Sequence, residues 1–159
     1  MDFATGARGL NVASLTKTKH KSSKRLFLSR AGSLNSWGGY VFVYGDRRDG
    51  ENSRHGLLSL DVRGEFTTPV RDISAYALRV TPEAEPSLGN VEIPRVGVWT
   101  ATKPAFDGGV YLSDREFDLV LAMATSGNLA SVHLNFQEPH YGKSLIASVS
   151  FSSDPPDDD

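Results

Sequence analysis

Four histidines (His20, His55, His133 and His140), nineteen aspartates and glutamates and numerous serines are the groups in this chain that could do chemistry. Metal binding needs ligands that converge, which short spacings such as His-x-x-x-His or His-Glu-x-x-His achieve on one helix face. No two of the four histidines stand at such a spacing. The chain has no cysteine, which removes thiolate zinc sites, cysteine-ligated iron–sulfur clusters, cysteine nucleophiles and disulfides. Asp46, Asp49, Gly50, Glu51 and Asn52 form an acidic group, but it lacks the odd-position ligands and closing glutamate of a calcium loop and reads as a charged hairpin loop. Neither a metal nor a cofactor is expected.

Nucleophile and phosphate motifs are missing too. Gly6-Ala7-Arg8-Gly9 has no Lys-Ser/Thr to complete a phosphate loop, and no serine stands in Gly-x-Ser-x-Gly. His133 alternates with Ser131 and Asn135 on the polar side of a strand, and His140 sits in a turn between Pro139 and Tyr141. Carboxylate pairs of the glycosidase kind meet only in three dimensions, so a hydrolase whose site is assembled by the fold stays as an alternative.

The most suggestive pattern is aromatic. Tyr40, Phe42 and Tyr44 fall on one face of a strand, with Val41 and Val43 on the other. Such a strand is either buried on both sides or offers its rings as a binding platform beside Arg47, Arg48, Arg54 and His55 of the next loop, where rings stack and cations hold phosphate. Charge adds a second pattern. From Phe3 to Gly45 there are seven basic residues and no acid, while the rest of the chain carries ten basic and nineteen acidic residues, so a net charge of −2 divides into +7 and −9. Lys17, Lys19, Lys21, Lys24 and Arg25 form the densest basic run, which could take a polyanion, shield a strand edge or act as a targeting leader. No apolar core of a secretory signal and no bilayer-length apolar run is present, and a cytoplasmic location is expected.

These residues must be carried by strands. Lys24–Arg30, Tyr40–Tyr44, Leu57–Arg63, Ile73–Val80, two pieces within Val91–Ala101, Val110–Leu112, Leu129–Phe136 and Ser144–Phe151 show period-two alternation or β-rich runs, and the charged stretch Asp46–His55 reads as a long hairpin loop. Tyr76, Leu78 and Val80 are expected inward, as are Val132, Leu134 and Phe136, and Leu145, Ala147, Val149 and Phe151. Ser113 and Glu116 form a capping box, Phe117, Val120, Leu121 and Ala124 recur at helical spacing, and Gly127 supplies a left-handed stop, which predicts a helix over 114–126.

The fold class expected is therefore mainly β: an antiparallel sandwich or strongly bent sheet of about eight strands with one helix. The chain divides into a basic segment (1–23), one β-rich domain (24–152) and an acidic, disordered tail (153–159). The function expected is a non-catalytic binding module that presents loops and a sheet face to a protein or glycan partner. The alternative is a polyanion or single-stranded nucleic-acid binder that uses the basic segment and the aromatic strand.

Overall fold

The computed structural model describes residues 26–48, 50–82 and 96–157. Among them are seven strands, β1 (Phe27–Arg48), β2 (Glu51–Val70), β3 (Ile73–Pro82), β4 (Gly97–Thr102), β5 (Ala105–Leu112), β6 (Ser131–Gln137) and β7 (Lys143–Ser152). One helix, α1 (Asp114–Thr125), lies between β5 and β6. The strands close into a barrel in the order β1-β2-β3-β5-β4-β7-β6; β3 and β5 run parallel and every other neighbour is antiparallel.

A mainly β fold with one helix is thus found, but as a barrel and not a sandwich. The closing seam is Phe27–Ser33 of β1 against Ser131–Gln137 of β6, which joins the ends of what would otherwise be an open sheet and removes two bare edges. The strand inventory changes for a related reason. The two early strands expected at Lys24–Arg30 and Tyr40–Tyr44 belong to one long β1, and the stretch expected as a loop, Asp46–His55, is paired backbone up to a turn at Gly50. Polar side chains do not prevent strand pairing where the ladder is held by backbone groups and both faces meet solvent. Residues 91–95 of the stretch expected as two strand pieces lie outside the described residues, and its remainder forms β4.

The alternation in β3 and β6 is found as expected, with Tyr76, Leu78, Val80, Val132, Leu134 and Phe136 all buried. On β7 it is found in part: Val149 and Phe151 pack against the core, but nearer the start of the strand Ile146 faces the core in place of Leu145, because the β6–β7 register shifts between Asn135 and Phe136. The helix matches its signals: the Ser113 hydroxyl and the Glu116 carboxylate cap each other's backbone amides, Gly127 takes a φ of +74°, and Phe117, Val120 and Ala124 are buried on the side toward β3 and β5.

An aromatic cluster fills the lumen, as expected for a barrel of this strand number. Phe66 meets Trp99 and Phe106 edge-on at centroid distances of 5.7 Å, and lies 5.1 Å from Tyr76. Tyr76 lies over Gly32 and Gly64 and donates its hydroxyl to the Ser33 carbonyl at 2.8 Å. A Cβ at Gly64 would collide with that carbonyl and with the ring, and one at Gly32 with the ring and the Glu65 carbonyl, which explains a glycine at each position. Burial pushes the Tyr76 phenol well above its usual range. Among the described residues no helix is long and apolar enough to cross a membrane.

Candidate functional site

β1 and β2 are longer than the barrel needs. β3 covers β2 from Leu60 onward, and β6 covers β1 only as far as Ser33. Beyond these points β1 and β2 continue, among the described residues, as a two-stranded arm, paired from Tyr40↔Ser59 to Arg48↔Glu51. Nine residues of β1 at about 3.4 Å each carry it roughly 30 Å from the barrel rim.

All seven residues expected to bind lie on this arm. Tyr40, Phe42 and Tyr44 share one face with Leu57, which pairs with Phe42; their exposures are 50%, 48%, 48% and 46%. The Phe42 and Tyr44 rings are 5.6 Å apart and tilted by 33°. The opposite face carries Val41 and Val43, 68% and 47% exposed, with half-buried Leu58 across from Val41. This aliphatic face continues the row of Leu60 and Val62 that lines the barrel interior, while the ring face continues the exterior, where Asp61 lies. Rings and valines therefore alternate as the sequence indicates, yet neither set is buried.

Strand alternation puts Arg47 and Arg54, both exposed, on the aliphatic face, opposite Asn52 and Gly45. The backbone of Arg48 pairs with that of Glu51 and the backbone of His55 with that of Tyr44. The basic run Lys17, Lys19, Lys21, Lys24 and Arg25 lies outside the described residues.

At the root of the arm, Trp37, Tyr40, Asp61 and Arg63 line a cleft of about 310 Å³. Beside it Arg79 grips Asp61 with two hydrogen bonds, Nε to Oδ1 at 2.8 Å and Nη2 to Oδ2 at 3.2 Å. Those bonds, with the positive charge behind them, hold the Asp61 carboxyl below the usual carboxylate range. The pair crosses from β2 to β3 on directly opposite residues, a register that could not be read from either strand alone. Sequence reasoning also missed exposed Leu57 and Trp37; strand alternation would have found Leu57, had the far end of the arm been recognised as paired.

The histidines assemble little. His133 sits on the exterior of β6, where its Nε2 is 2.7 Å from the Ser29 hydroxyl across the seam. That is the contact a nucleophile–base pair requires, but a working base also needs an orienting partner. Among the described residues no carboxylate forms an ion pair with His133, and no three His, Asp or Glu side chains gather to hold a metal. His140 stacks edge-on against Tyr141 in the β6–β7 turn. Ser131, expected on a solvated face, is buried and donates to the Asp154 carbonyl at 2.7 Å. The arm is consequently the feature that the barrel's own packing does not explain. Comparison with protein-family models, with curated proteins and with solved structures gives no match, so its chemistry alone bears on function.

Proposed function

We propose that this protein is a non-catalytic interaction module whose β-hairpin arm enters or clasps a protein partner. One observation carries this: both faces of a two-stranded arm are apolar, and both are exposed. An isolated hairpin is marginal in water, and monomers seldom leave contiguous apolar surface beyond a few hundred Å² without a use for it. The three rings and Leu57 alone present on the order of 400 Å². A protein can cover both faces at once. A glycan or a nucleic acid would engage only the rings and leave Val41 and Val43 in water. Nucleic acid is the second reading, favoured by the exposure of all three rings and by the exposed Arg47 and Arg54 on the same arm.

Photo-crosslinking distinguishes these. With a photoreactive residue at Phe42 or at Val41, and a control at Arg115 on the helix, both arm positions should yield protein adducts and the control none. A nucleic-acid adduct from position 42 alone, lost as salt is raised, would select the second reading. Absence of any adduct at either arm position counts against both.

A further inference from the structure

Resting on that interaction role, we infer that the arm's partner is a second copy of this chain, joined through the edge of β1 that lies away from β2, in an antiparallel, two-fold pairing centred on Phe42. From Ser36 to Arg48, β1 has β2 on one side and, among the described residues, no strand on the other. Every second residue of that edge directs its backbone N–H and C=O outward. Natural proteins protect such edges with lysine, proline, charge or a bulge. Between Ser36 and Gly45 there is no lysine, no proline and no charged residue, and the one irregularity, at Leu34/Ser36, lies at the root. On β1 the charged residues Asp46, Arg47 and Arg48 stand only at the tip, whereas β2, which among the described residues also has no second neighbour over Glu51–Ser59, carries exposed Arg54 farther in.

The unguarded edge is also self-complementary. Gly39-Tyr40-Val41-Phe42-Val43-Tyr44-Gly45 reads the same in both directions, and Phe42 is the midpoint of Ser36–Arg48. When identical antiparallel strands pair about a two-fold axis through residue 42, Phe42 meets Phe42, Val41 meets Val43, Tyr40 meets Tyr44 and Gly39 meets Gly45. Each aromatic or β-branched side chain thus faces one of its own kind, the pairing that strengthens antiparallel sheets. Farther out, the same register sets Trp37 opposite Arg47, a cation over an indole. Thirteen paired residues supply about a dozen backbone hydrogen bonds, in the range of a stable interface. The product is a four-stranded sheet, β2-β1-β1-β2, with a barrel at each end and closed two-fold symmetry, in which the rings of the two arms shield one another along one face and the valines along the other.

Because the chain lacks cysteine, one introduced thiol reports the register. Directly opposed residues in an antiparallel pair are about 4.5–5.5 Å apart at Cα, within disulfide reach. Phe42→Cys should therefore oxidise to a covalent dimer. Val41→Cys should not, since its counterpart is two residues out of step, whereas Val41→Cys with Val43→Cys in one chain should. In sedimentation velocity on the full chain, the wild type should run as a dimer, and Val41→Lys/Val43→Lys should weaken association by about tenfold or more through opposed like charges. Both positions are exposed, so circular dichroism and the unfolding midpoint of the dissociated protein should match the wild type. A wild type that stays monomeric up to about 100 µM, or equal crosslinking by Val41→Cys and Phe42→Cys, overturns the inference. If heterologous protein adducts form at positions 41 and 42 while the chain is monomeric, the second copy is excluded and the interaction role stands; if no adduct forms, both fall.

Discussion

Phe66 in the barrel and Phe42 in the arm belong to the same β1–β2 hairpin, and both sit among apolar neighbours, yet one ring is 5% exposed and the other 48%. What separates them is the number of layers. Around Phe66, four other strands bend round and bring Tyr76, Trp99, Phe106 and Phe136 against its ring; around Phe42 the described residues include only one other strand, β2. Hydrophobic residues in this protein therefore have two roles: inside the barrel they are fixed by closure, and on the arm their apolar surface remains available.

The largest test of that division is truncation of each ring. Phe66→Ala should cost about 3–5 kcal/mol in denaturant unfolding, a large share of a domain's stability, because it empties the centre of the aromatic cluster. Phe42→Ala, measured on dissociated protein, should change stability by no more than about 0.5 kcal/mol. If both cost the same, the arm is as much core as the barrel. Glycines give a smaller contrast. Gly64→Ala would force the Ser33 carbonyl and the Tyr76 ring apart and should cost about 1–3 kcal/mol, whereas Gly39→Ala meets open space and should be neutral or slightly stabilising, read as unfolding midpoints.

The smallest effect concerns acid. The Asp61 carboxyl is lowered by Arg79, and the Glu116 carboxyl by hydrogen bonds from the Ser113 backbone amide and hydroxyl. Both are lowered in the fold, so their contributions are complete above the unfolded carboxylate value near about 4 and are lost as pH falls through the folded value. Both groups are largely solvated, so the loss should be shallow. Asp61→Asn with Glu116→Gln should flatten the acid limb of a stability–pH curve, while Tyr40→Phe on the arm should leave it unchanged.

Much of the barrel could be read from local pattern. Tyr76, Leu78 and Val80 announce β3 by alternation, and Ser113, Glu116 and Gly127 mark the helix because capping is a short-range interaction. Closure could not be read, since the seam joins Ala31 to His133, positions whose pairing depends on the whole chain. The glycine next to Trp99 misleads in the opposite direction. Gly108 weakens the β signal of β5, so only Val110–Leu112 stands out, yet a Cβ there would strike the Trp99 side chain. The rings were found as a stripe, but one strand's alternation does not reveal whether a third strand covers it. That depends on where β3 stops pairing, at Leu60.

The bulge between Leu34 and Ser36 determines which face of the arm is which. Before it, the even-numbered residues of β1, such as Leu28 and Gly32, share a face with the interior residues Phe136 and Val132. After it, the odd-numbered Trp37 and Gly39 oppose interior Val62 and Leu60. Asn35, the extra residue, thus inverts the parity of everything downstream. Remove it, and Tyr40, Phe42 and Tyr44 would extend the inner lining while the valines took the outside. A single inserted position, contributing no side chain to the candidate surface, sets the phase in which the whole arm is displayed.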